Sequence, residues 1–358
     1  MRMSPAHPLE RFQHRSSVKN RPGSAASVAS ARAVEYGDGE DALSRFIIRR
    51  LAMMLLVLFL ISVITFLLFA AIPNGNPALR LAGRNSTATE VHQIEVLYGF
   101  NKPIYVQYGR MMKNIFTGQA TSYVQGFNVV DQIKHDLPAT LSLAIGAGII
   151  WMVASIIVGT LAAIRAGRHT DRVLTVLSMI GVSFPPFFLG AIFIYFLGYK
   201  ANLFPVGGYV SFATSPSQWL HHMILPWITL SVLFIGFNSR VLRSTILDTM
   251  NEDFVRTATA KGLSHQQVLR RHILRNSLIP IIALFGLDMG QVIGGGAILT
   301  ETVYNLHGVG QLFAQAIGLL DNVTVLVCSM LIAFTVVLLS AFTDIFYAVL
   351  DPRIRLGA

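Results

Sequence analysis

Six mostly apolar stretches alternate with polar connections along the chain, at residues 51–72, 137–164, 173–199, 223–241, 278–299 and 323–350. A helix needs about 20 such residues to cross about 30 Å of hydrocarbon, so the pattern predicts six membrane-spanning helices. Asn238 and Arg240 crowd the end of the fourth. The connection at residues 73–136 is long for an idle linker. Within it Thr87 and Glu90 have the spacing of a capping box, for a helix ending at Gly99. Pro103 then begins a second helix carrying Ile104, Tyr108, Met111 and Ile115.

The segment at residues 240–276 interrupts the apolar pattern with seven Lys or Arg. Centring such side chains in lipid costs about 2.5–3.5 kcal/mol each, so the segment lies outside the bilayer. Its order predicts two helices around a turn. Asn251 caps a helix through Lys261, with Glu252 and Asp253 favourably placed in its first turn. Gly262 supplies the left-handed residue that stops it. Ser264 and Gln267 form a capping box for the next helix, along which Val268, Leu269 and Ile273 are apolar and Arg270, Arg271 and Arg275 basic. Pro280 suits the first turn of the fifth span. A solvated connector that merely follows membrane charge bias would have a similar composition. A DNA-binding helix-turn-helix is disfavoured, because both ends are tied to the bilayer.

Composition supports a lipid-solvated chain. Of 358 residues 53% are hydrophobic and 13% charged, where soluble domains carry about 25% charge; the mean hydropathy is +0.57. The net charge of +10 would suggest nucleic acid if it were spread evenly. Instead 21 of the 28 Lys and Arg fall in residues 1–50, 165–172, 240–276 and 351–358, which are the inner segments if the N-terminus is cytoplasmic. The positive-inside bias therefore places both termini in the cytoplasm, and no nucleic-acid partner is needed. Residues 1–44 are polar and rich in Ser, Ala, Arg and Pro, which predicts a disordered tail; a transit peptide has similar composition. Cys328 is the only cysteine, so neither a disulfide framework nor a cysteine-based metal site is available.

The chain carries no G-x-x-x-x-G-K-[S/T] phosphate loop around any of its six lysines, and no H-E-x-x-H or G-x-S-x-G motif. Catalytic machinery, metal and cofactor are therefore not expected in it, and energy for uphill transport would have to arrive through a partner. Several membrane features bear on a pathway. Pro185 and Pro186 fall inside the third span and predict a kink. Glycines at residues 290–298 allow close helix approach. Asp288 either lines a polar path or is satisfied between helices. Residues 301–310 would fold back as a short gating segment, with Glu301 either part of it or a surface charge. A secondary transporter would show inverted repeats with paired broken helices, and none is visible in the sequence.

The run "EDFVRTATAKGLSHQQVLRRHILRNSLIP" resembles the EAA loop of bacterial ABC importer permeases, in the variant of the first permease of dipeptide and oligopeptide systems. Gly262, Ala258 and Leu274 match the general pattern, whereas Arg256, Thr257, His272 and Arg275 stand where Glu, Ala, Ile and Pro are usual. Those departures fit the peptide branch, whose form is similar to "DYVRTARAKGL…RHALRNALIP". The resemblance extends over roughly residues 45–355. It includes "NKPIYVQYGRMMKNIFTG", "LPATLSLAIGAGI", "ILTETVYNLHGVGQL" and "FYAVLDPRIR"; Asn101, the "GQATSY" stretch and His307 depart from the usual residues.

The resemblance implies an all-α integral membrane protein of the type I ABC importer permease fold. Its six transmembrane helices would carry a helical extracytoplasmic insert after the first. It implies a first span plus outer domain at residues 45–136, a core at 137–350 with its coupling loop at 251–276, and a cytoplasmic end at 351–358. It implies a bacterial inner-membrane location. The partners implied are a second permease, two cytoplasmic subunits that bind ATP and Mg, and an extracytoplasmic solute-binding protein. Coupling contacts would come from Glu252, Asp253, Arg256, Ala258, Lys261, Gly262, Arg270 and Arg271, with Ala258 and Gly262 closest to the ATPase. Pathway or gating roles would fall to Pro185, Pro186, Asp288, Glu301, His307 and Gly308. Family members carry dipeptides, longer peptides, metal chelates, haem or sugars, so the solute stays open.

Overall fold

A computed structural model describes residues 48–68, 77–83 and 86–350. The predicted tail at residues 1–44 and the C-terminal end at 351–358 lie outside the described residues. Contacts divide the chain into residues 1–52 and 53–358. Of the first unit, residues 48–52 are helical and exposed.

The described residues are helical throughout, with turns between and no strand. The helices are α1 (Ile48–Leu68), α2 (Pro77–Ala82), α3 (Ala88–Tyr98), α4 (Ile104–Phe116), α5 (Val129–Ile164) and α6 (His169–Ser183). They continue with α7 (Pro186–Lys200), α8 (Pro216–Met250), α9 (Asp253–Ala260), α10 (His265–Tyr304), α11 (Val309–Gly318) and α12 (Asn322–Leu350). Five of these (α1, α5, α8, α10 and α12) are individually long and apolar enough to cross a membrane, and α6 with α7 makes a sixth span if the bent pair counts as one.

Local signals in the insert resolve as predicted. Thr87 Oγ1 accepts from the Glu90 amide, and the Glu90 carboxylate accepts from the Thr87 amide at 2.8 Å. That second bond is the largest influence holding the Glu90 carboxyl below its ordinary value. Gly99, at φ +72°, ends α3 in the left-handed conformation. Pro103 precedes α4, whose Met111 is buried and whose Tyr108 hydroxyl meets Ser62 of α1 at 2.7 Å. Asn128 starts α5 by accepting the amides of Val130 and Asp131.

Three predicted boundaries move. The third span is broken, with α6 and α7 meeting at 99° where a kink was expected. The cause is the double proline. The residue before a proline is pushed out of the helical region, and both Phe184 (ψ 123°) and Pro185 (ψ 137°) are extended. Pro186 then restarts the chain at the first position of α7, where its missing N–H costs nothing. Asn251 caps no following helix. It ends α8, its side-chain amide donating to the Leu247 carbonyl at 3.0 Å, and Glu252 takes the position before α9. Pro280 does not begin the fifth span either. α10 runs unbroken from His265, and Pro280 sits inside it. Hydropathy falls near Arg240 and rises again near Leu278, while the helical hydrogen bonds continue across both points.

α10 also contains two wider π-helical turns, Leu269–Ile273 and Val292–Gly296. Its neighbours pack through aromatic rings and small residues. Trp151 of α5 stacks on Phe234 of α8 with centroids 4.5 Å apart. Trp227 donates to the Ser142 carbonyl at 2.8 Å and covers Gly146.

Candidate functional site

The 251–276 element is built on a buried apolar seat. Val255 and Ala258 of α9 and Val268 and Ile273 of α10 pack with Leu242 and Ile246 of α8 into one cluster. Removing Val255, Val268 and Ile273 from water contributes on the order of 1.5–3 kcal/mol each, which ties the element to two long helices. Lys261 and Gly262 close the turn by donating to the carbonyls of Thr257 and Thr259, at 3.1 and 3.0 Å. Gly262 has φ +83°, and a Cβ there would meet nothing within 4 Å. Ser264 and Gln267 exchange both bonds of the predicted capping box.

The seat decides which predicted residues face outward. Glu252, Asp253, Arg256 and Lys261 are exposed, as are Gly262, Arg270 and Arg271. Ala258 is not: at 5% exposure it points into the cluster, so it supports the element from within and is withdrawn from the outer contact expected of it. Arg256 lies 3.6 Å from Asp253, but both side chains are largely exposed and such a pair is worth little. The outward face therefore carries four cations, Arg256, Lys261, Arg270 and Arg271, against two acids, Glu252 and Asp253. Arg270 and Arg271 sit on the first π turn of α10, a geometry frequent at functional sites.

The residues expected to serve a pathway fall in three places, the first being the break between α6 and α7 that holds Pro185 and Pro186. Asp288 of α10 is buried and accepts a 2.7 Å bond from Asn238 of α8, which makes it an interhelical contact. Near the other end of α10, Glu301 is fully buried, so the surface-charge alternative is excluded. Its carboxylate accepts the Gln311 amide at 2.9 Å and so holds the start of α11 against α10. Gly308 and Gly310 lie so close to this carboxylate that a Cβ at either would collide with it. The fold-back between the helices needs left-handed backbone at Asn305 (φ +49°) and His307 (φ +52°). Gln311 braces it, accepting the His307 amide at 2.7 Å and donating to Asn305 at 2.6 Å. Thr140 of α5 accepts the Val309 amide at 2.9 Å. The fold-back was legible in the sequence; the clasp by Glu301, Gln311 and Thr140 was not, because its members lie up to 171 positions apart.

Among the described residues no group of three His, Cys, Asp or Glu could hold a metal ion. One strong ion pair escaped sequence reasoning: Arg243 of α8 with the buried Asp171 of α6.

Residues 155–356 match the family described as binding-protein-dependent transport system inner membrane component, and residues 43–144 match its N-terminal companion. A probable peptide ABC transporter permease, y4tP of Sinorhizobium fredii, is 36% identical over 311 residues, covering 87% of this chain and 99% of that protein. The oligopeptide transport system permease AppB of Bacillus subtilis is 35% identical over 317 residues, 87% of this chain and all of that protein. Among solved structures, the inward-facing methionine transporter MetNI is 18% identical, with a TM-score of 0.48 over 61% of this chain and 96% of that one. With its family model covering more than half the sequence, and full-length relatives above 30% identity, this chain belongs to the inner-membrane components of binding-protein-dependent transport systems.

Proposed function

We propose that the chain is the permease subunit of an ATP-driven importer of dipeptides or oligopeptides. It forms half of a translocation path with a second permease, and two cytoplasmic ATPases work it through the 251–276 element. The observation that carries this reading is the pairing of an exposed cationic face with a buried apolar seat. In this reading a force applied to α9 or the start of α10 passes to α8 through this packed cluster. The opposite end carries the fold-back clasped by Glu301, which in this reading serves as the gate on the receiving side. The charge distribution supports cytoplasmic termini, with residues 73–136 outside as the domain that meets the solute-binding protein. ATP and Mg are bound by the partner subunits.

The test is assembly and drive together. Detergent-solubilised complex should contain two ATPase subunits per permease pair, and deleting residues 251–276 should remove them. Mass spectrometry of the ligand retained by the partner binding protein should find a short peptide. Uphill solute movement by this chain alone in liposomes, with no other polypeptide, would overturn the reading.

A further inference from the structure

A seam joins α6 to α8 between the coupling element and the helix break. At its basic end Arg243 donates through Nε to one carboxylate oxygen of Asp171 at 2.6 Å and through Nη2 to the other at 2.7 Å. Asp171 is only 4% exposed. The same carboxylate accepts the Gly167 amide at 2.8 Å, from the turn between α5 and α6. Farther along, the hydroxyls of Ser178 and Ser239 meet at 3.2 Å. Gly236 lies against the Ser178 carbonyl, with room only for hydrogen between them, and Gly159 of α5 similarly approaches the Ser239 carbonyl.

These contacts differ in what they fix. Small residues let helices touch, but a smooth contact permits sliding along the axis. A forked guanidinium–carboxylate pair sets direction as well as distance, and with its carboxylate buried it cannot exchange one partner for water cheaply. Arg243 lies about two helical turns before the end of α8 at Met250, between Leu242 and Ile246, the two α8 residues of the seat. α6 ends at the 99° break before α7.

We propose that the Asp171–Arg243 pair is the joint that passes displacement of the coupling element from α8 to α6, and so to the break at Pro185 and Pro186. Both are positioning residues for transport, and the inference rests on the permease reading above. The contacts at Ser178, Gly236 and Gly159 keep the helices adjacent; the ion pair sets their axial register. Without it α8 still responds to the ATPases, but α6 lags behind.

The experiment uses the complete transporter with its binding protein and ATPases in liposomes, comparing Asp171→Asn and Arg243→Lys with the unaltered complex. Its readout is solute moved per ATP hydrolysed. Both variants should insert, retain their ATPases and hydrolyse ATP. The ratio should fall at least tenfold in Asp171→Asn. It should fall less in Arg243→Lys, which keeps the charge but loses the fork. An unchanged ratio in both variants overturns the joint, as does a parallel loss of uptake and hydrolysis, which signals only less assembled transporter. Failure of both variants to insert makes the pair a folding element and overturns it too. Absence of ATP-driven uptake by the unaltered complex instead sinks the permease reading beneath it.

Discussion

Replacing Gly262 separates two explanations of why glycine stands at the tip of the 251–276 element. The residue is at φ +83°, and a Cβ there would enter open space. A substitution therefore meets no steric neighbour within the chain, and its cost is conformational. A left-handed L-residue costs about 1–2 kcal/mol, with β-branched side chains at the upper end. That lowers the population of the closed turn about 5- to 30-fold. Asn visits this region with little penalty. If the turn conformation is all that glycine supplies, ATP-driven uptake in the reconstituted complex should fall in the order Gly, Asn, Ala, Val. Asn would remain close to the unaltered protein and Val would lose about tenfold or more. Membrane insertion should not change, because the φ strain is confined to an exposed turn. Normal uptake by Gly262→Val refutes a coupling role for the turn. Uptake by Gly262→Asn as poor as that of Gly262→Val refutes the conformational argument, because the partner would then have to touch position 262 itself.

Gly146→Ala should be costly for a different reason: the new methyl would lie inside the indole ring of Trp227, which is pinned to the Ser142 carbonyl. Overpacking of this kind costs about 1–3 kcal/mol, so the midpoint of thermal unfolding in detergent should drop while the sequence of spans is unchanged. Arg270→Cys offers a topology test with little background, since Cys328 is the only native cysteine and is buried. An impermeant maleimide should label it in inside-out vesicles and leave it unlabelled in right-side-out ones; the reverse result removes the proposed orientation.

What the sequence made legible were features written within a few residues. The Thr87–Glu90 and Ser264–Gln267 boxes and the stops at Gly99 and Gly262 all formed as read, because a side chain three positions away, or one backbone angle, determines each. Hydropathy located the spans but misplaced helix ends wherever a helix outruns its apolar stretch. α8 continues past Arg240 to Met250, and α10 begins well before Pro280. The proline pair was visible, yet the size of its effect depended on two consecutive residues both being forced extended. Least legible were contacts between distant positions. Asp171 with Arg243, Asn238 with Asp288, and Glu301 with Gln311 each join residues on different helices, which no local period relates. Burial of Ala258 belongs with them, because the motif names the residue without saying which way it faces.

The two π turns give α10 a phase as well as a length. Each accommodates one residue beyond regular winding, and one residue amounts to a rotation of about 100° around the axis. Everything after Val292–Gly296 is thereby dialled round as a block, bringing the Glu301 carboxylate to the amide of Gln311. The Leu269–Ile273 turn does the same for the axis on which Arg270 and Arg271 stand. Losing a single residue from either turn would let it close to regular winding with both flanks kept in phase, whereas losing one elsewhere in α10 would turn one end about 100° away from its counterpart.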